Sequence, residues 1–238
     1  MWADDWTAAC DDLVRELLAE AGLTAPPVDA VALARHFDWP VVWDAGLLER
    51  GRLHRLAGRP ALFIRPEDRP ERVHWAVAHE VGEAQLWRVC DRLGCDPDDL
   101  APRQRETLAC QFAQRLLLPT SWFHAARNEC GDDLLGLKQR FCTASHELIA
   151  WRWLDLPQPQ IVSIFDGASL ARRRCNFALR PPPLSAKEIA CVETARRLQR
   201  TARRASTTAW AIHEPAWKRE IVRTIVHTAE QQDHSASA

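Results

Sequence analysis

The sequence predicts an α+β protein. A mostly helical domain with a small β-sheet near its start is followed by a smaller α+β region. Three observations carry this expectation. Apolar residues recur at helical spacing through 70–93 and again through 103–118. Short strand-like runs that flank turn residues lie ahead of the first of these helices. Pro157 and Pro159 interrupt the chain where the charge balance changes sign. Residues 1–160 carry 18 Lys/Arg against 25 Asp/Glu, and residues 161–238 carry 13 against 7. A chain of 238 residues has room for one domain of about 150 residues and a smaller one. The expected boundaries are 1–157 for the first domain, 160–228 for a small basic α+β domain, and a disordered tail over 229–238.

The elements follow in order. Trp6, Cys10, Leu13, Leu17 and Ala21 mark a first helix that stops at Gly22. Asp29 is placed to cap a short second helix, Ala30 to Phe37. Pro40 to Trp43 reads as a strand. Arg52–Leu56 and Ala61–Arg65 flank Gly58-Arg59-Pro60 and read as a hairpin. Asp68 ahead of Pro70 opens the long helix 70–93, since Pro suits the first helical turn. The helix over 103–118 stops before Pro119. Trp122–Arg127, Leu134–Phe141 and Ser145–Leu154 complete a helical cluster. Beyond the prolines, Ile161–Phe165 and Arg172–Phe177 flank the turn signal Asp166-Gly167. Ser185 and Glu188 form a capping box for a basic helix running to about Arg204. Thr207–Ile212 and Ile221–Val226 read as two further strands.

Composition narrows the function classes. No apolar run approaches the ~18 residues of a membrane span. Met1 is followed by an acidic stretch, Trp2-Ala3-Asp4-Asp5, and not by a basic leader, so a cytoplasmic location is expected. The eight cysteines are scattered without a Cys-x-x-Cys pair and read as buried or idle thiols. There is no glycine-rich phosphate loop and no dinucleotide fingerprint. The basic C-terminal region, with Arg172-Arg173-Arg174 and the series Arg196, Arg197, Arg200, Arg203 and Arg204, offers a surface to nucleic acid or to an acidic partner. A solvated basic face explains it as well. Nucleic-acid contact is the weaker expectation, because the first part of the chain is acidic.

The chemistry centres on His79-Glu80-Val81-Gly82-Glu83 in the long helix. Residues four apart share a helix face, so His79 and Glu83 point the same way. Two metal ligands at that spacing, with a Glu beside the first to take a proton from a metal-bound water, form the helix of a metalloprotease. The usual second ligand is His, and here it is Glu83. A carboxylate binds zinc at a similar distance. Glu106 on the following helix is placed to give the third ligand, and Ala109 and Ala113 keep that helix slim enough for close approach. The chain has no Tyr, which leaves His124 and His146 as candidates to stabilise a developing oxyanion.

These residues resemble the ImmA/IrrE-like metallo-endopeptidases, a zincin-like family. The resemblance rests on Ala78-His79-Glu80-Val81-Gly82-Glu83, on Glu106-Thr107-Leu108-Ala109-Cys110-Gln111-Phe112-Ala113, and on Leu116-Leu117-Leu118-Pro119. A looser likeness follows at Phe141–Trp153, and the whole covers about residues 10–156. The departures are Glu83 for His, Cys110 for Asn and Leu118 for Met, and only Glu83 is expected to bear on the chemistry. The resemblance implies a divalent metal, zinc or with two carboxylates manganese, held by His79, Glu83 and Glu106, with Glu80 as general base. It implies an endopeptidase that cleaves a helix-turn-helix repressor and so switches on stress or mobile-element genes. The alternative is a non-catalytic regulator that keeps the fold and binds a partner protein or DNA, with Glu83 paired to a nearby Arg. Position 83 separates the two.

Overall fold

The structure is a computed structural model that describes residues 2–178, 180–214 and 217–227. The tail expected to be disordered, 229–238, lies outside these residues. The chain forms two compact units that divide between Ser145 and His146. Each contains helices and one sheet, so the fold is α+β. No helix among the described residues is long and apolar enough to cross a membrane.

The first unit opens with α1 (Trp2–Glu20) and α2 (Ala30–His36). Asp29 caps α2 as its sequence suggests, accepting a bond from the Ala32 backbone N–H at 2.9 Å. A three-stranded sheet follows in the order β1-β3-β2, built from β1 (Val41–Trp43), β2 (Gly51–Leu56) and β3 (Arg59–Ile64). β2 and β3 are a hairpin in which Gly51 stands opposite Ile64 and Leu56 opposite Arg59. Its two-residue turn puts both Ala57 and Gly58 at positive φ, 50° and 80°, the backbone twist that joins antiparallel strands without splaying them. Ala61, Leu62 and Ile64 of β3 are fully buried.

α3 (Pro70–Leu93) leaves this sheet with Pro70 in its first turn and ends on Gly94 in the left-handed region. Asp68 is not its cap. Arg69 holds that position without a side-chain capping bond. Glu67 instead takes bonds from Arg65 beyond β3 (2.9 Å) and Arg72 in α3 (3.0 Å), tying strand to helix. After an acidic turn, α4 (Pro102–Leu117) runs back along α3. α1 packs on both, and Leu13, Leu17, Val77, Val81, Leu116 and Leu117 are buried with them. α5 (Thr120–Cys130) and α6 (Leu134–Arg140) complete the unit.

The second unit begins with α7 (His146–Arg152). Its sheet runs β5-β4-β8-β7-β6, antiparallel throughout. The strands are β4 (Gln160–Asp166), β5 (Ser169–Cys175), β6 (Ala202–Arg204), β7 (Thr207–Glu214) and β8 (Trp217–Ile225). α8 (Ala186–Leu198) carries the expected capping box of Ser185 and Glu188 and packs on β6, β7 and β8. It is shorter than the sequence suggested. Gln199 turns left-handed at φ 50° and ends the helix. Residues 202–204 then pair with β7, so tertiary pairing overrides the helical preference of an arginine-rich run. All eight cysteines are free thiols.

Candidate metal centre

α3 and α4 meet at Gly82. A Cβ there would stand 3.1 Å from the Ala109 carbonyl oxygen and 3.1 Å from the Phe112 ring. Only a glycine facing a small residue lets the two backbones come this close. The result sets His79 on α3 against Glu106 on α4, with Nε2 and Oε2 3.5 Å apart.

A third donor joins them. Cys110 lies four residues after Glu106, one turn along the same face. Its Sγ is 3.5 Å from Glu106 Oε1 and 3.8 Å from His79 Nδ1. One ligand atom from each of His79, Glu106 and Cys110 can be chosen so that all lie within 4.8 Å of one another. Glu83 is not in this group. It occupies α3 one turn beyond His79, half-buried, and acts on its neighbours by charge. Cys110, whose replacement of Asn was expected to be silent, was the residue missed. The signal was its spacing of four from Glu106.

The donor set suits a divalent cation. A tetrahedral zinc with bonds of about 2.0 Å to nitrogen and oxygen and about 2.3 Å to sulfur holds its ligand atoms about 3.3–3.6 Å apart. The contacts here are 3.5 and 3.8 Å but run through different ring nitrogens and different Glu106 oxygens. One donor atom from each residue lies within 4.8 Å of the others, so the side chains would close in on a bound ion. The two contacts to the imidazole use different ring nitrogens. Whichever nitrogen binds, the other is left to orient the ring. Burial pushes the Cys110 thiol up to about 12, with Glu106 and Glu83 adding to it.

Glu80 follows His79 on α3 and feels the charges of Glu83 and Glu106. It is 6 % exposed and lies against β2. A Cβ on Gly51 would stand 2.6 Å from Glu80 Oε1, so the missing side chain at Gly51 is the space the carboxylate occupies. Burial, and after it the negative charge of Glu83, pushes Glu80 up to about 7, against a bond from the Leu53 backbone N–H. Among the described residues no Arg or Lys pairs with Glu80, Glu83 or Glu106. The arginine partner that a purely structural Glu83 would want is therefore missing. His124, offered as an oxyanion stabiliser, is exposed on α5, and His146 belongs to the second unit.

Comparison with known proteins bears on the fold that carries these residues. The chain matches a solved structure described as a Mycobacterium tuberculosis transcriptional regulator, with 20% identity and a TM-score of 0.65, over 96% of this chain and 79% of that one. At that identity the likeness is one of fold. No curated protein matches the sequence. The profile of the Peptidase_M78 family, described as the IrrE N-terminal-like domain, matches residues 39–152, which span the hairpin, α3 and α4. Residues 39–152 of this chain therefore belong to the IrrE N-terminal-like family and form a domain of the metallopeptidase type.

Proposed function

We propose that the protein is a metal-dependent endopeptidase with Glu80 as its general base. The observation that carries this reading is one buried, unpaired carboxylate beside a convergent set of metal donors. A divalent cation held there would acidify a water molecule and polarise a peptide carbonyl. The chain supplies the rest. His79 and Glu106 would hold the cation from two helices that meet closely at Gly82. For the third ligand the motif offers Glu83 and the fold adds Cys110. Glu80 takes the proton of the attacking water and returns it to the leaving amine, and a carboxyl raised to about 7 is suited to both transfers near neutrality.

The substrate is a protein segment in extended form. β2 is an edge strand of its sheet and carries Gly51 past Glu80, so a peptide added along β2 would lie next to the base. The resemblance points to a helix-turn-helix repressor as that substrate, and regulation of transcription as the outcome. The division of labour would follow the charge, with the metal site in the domain up to residue 157 and the basic region 160–228 free to contact a partner.

The test is metal analysis of the purified chain together with cleavage of a candidate repressor by the natural chain and by Glu80→Gln. The reading requires about one bound divalent ion in both and turnover only in the natural chain. Equal cleavage by the variant would remove Glu80 from the chemistry. Binding of the repressor without cleavage by metal-loaded protein would establish the non-catalytic alternative.

A further inference from the structure

We infer that Cys110 is the third protein ligand of the metal centre, in the role that a second histidine on α3 would otherwise fill. The inference rests on the metallopeptidase reading and names the ligand which that reading leaves open.

Four observations lead to it. Glu106 and Cys110 sit one turn apart on α4 and present both donors to His79 across the closest approach of two helices. The sulfur touches both of the other donors, at 3.5 and 3.8 Å. Glu83, the ligand the motif would supply, stands outside the cluster. Cys110 is half-buried, with its sulfur directed at His79 and Glu106. On metal binding the S–H bond breaks, the proton leaves to solvent, and the sulfur electron pair forms the bond to the cation. Glu83 then stays as a neighbouring charge that offsets the cation without touching it.

The chemistry of the cation changes with this assignment. Two carboxylates and one imidazole would make a hard site that takes manganese readily. A thiolate, an imidazole and one carboxylate make a softer site that selects zinc or cobalt. The net ligand charge is the same in both cases, so selectivity separates them where charge cannot.

Cobalt(II) is the probe, added to the metal-free full-length chain. The cobalt-loaded natural chain is expected to show a near-ultraviolet thiolate-to-cobalt charge-transfer band. Cys110→Ser should keep visible cobalt absorption, lose that band, and bind zinc at least ~100-fold more weakly, the upper end of what loss of even an outer-shell partner costs. Glu83→Gln should keep the band. Bound cobalt without the band in the natural chain overturns the inference and leaves the metallopeptidase reading standing. So does a loss of zinc affinity in Glu83→Gln but not in Cys110→Ser. No cobalt binding by the natural chain overturns both.

Discussion

Glu80 in the first unit and Glu188 in the second are buried to the same degree, at 6 % and 3 % exposure, yet their surroundings are opposite. Glu188 receives Arg173 on both oxygens at 3.0 and 3.2 Å, the Ser185 backbone N–H at 2.8 Å and the Thr224 hydroxyl at 2.8 Å. Burial would raise its pKa, but these bonds outweigh burial and hold the carboxyl below its usual range. Glu220 in the same unit is likewise met by Arg196 at 2.7 Å and His213 at 2.9 Å. Glu80 has one backbone donor and the charges of Glu83, Glu106 and Glu49. A buried carboxylate that the fold has neutralised is part of the scaffold. Glu80, surrounded by its own sign, has no such partner among the described residues, and the proposed cation would supply the missing positive charge.

The strongest way to break this comparison is at the two glutamates. Glu80→Gln should lower turnover by about 10²–10⁴-fold, the usual contribution of a general base. It should leave metal content intact, as atomic absorption would show, and should not lower the melting temperature. If it unfolds the protein, Glu80 is scaffold after all. Arg173→Met strands the Glu188 carboxylate in the second unit. Removing one partner of a buried pair costs about 3–5 kcal/mol, to be read from urea unfolding followed by the fluorescence of Trp153 and Trp210, which stack at 5.1 Å.

Gly82→Ala comes next. Its methyl would press on backbone at Ala109 and on the Phe112 ring, and overpacking of this kind costs about 1–3 kcal/mol. Zinc affinity should fall with it, because the helices that carry His79 and Glu106 must part. Gly51→Ala should cost about 1–3 kcal/mol, since the methyl meets the buried Glu80 side chain at Oε1, Cγ and Cδ and must push it aside. It should also cut turnover at unchanged metal content by displacing the base.

The smallest effect is in pH. The folded value of Glu188 lies below its unfolded value of about 4.3. Its contribution to stability is therefore complete above that value and is lost as the pH falls through the folded value. Unfolding midpoints of Glu188→Gln should lack this acid-side decline. An equal decline in the variant would assign it to other carboxylates.

Much of this was legible in the sequence because it is local. The capping of α2 by Asp29, the length of α3 and the capping box of α8 are each set within a few residues. The hairpin was legible as two strands, but its turn falls at Ala57-Gly58 and not at Gly58-Arg59-Pro60. The approach of α3 to α4 was legible in part, through Ala109 and Ala113 on α4; that Gly82 is the point of contact on α3 was not. What could not be read depends on distant pairing. β4 joins β8 across about sixty residues, with Gln160 opposite Ile225, and β6 forms only because β7 is there to receive it. The role of Cys110 was hidden for another reason. Its spacing from Glu106 was visible, but only the relative rotation of two helices shows that its sulfur meets His79.

The hairpin turn at Ala57 and Gly58 governs more than the bend of the chain. In a strand, neighbouring side chains point to opposite faces, so parity is all or nothing. The two-residue turn fixes that parity for every position of β2, and so decides that the residue over Glu80 is the one without a side chain. A slip of one position along β3 would keep the strands hydrogen-bonded and the sheet intact. It would also exchange the gap at Gly51 for Arg50 or Arg52. A guanidinium would then sit on the carboxylate and neutralise it from within. The protein would keep its fold and lose its base, through a miscount six residues away.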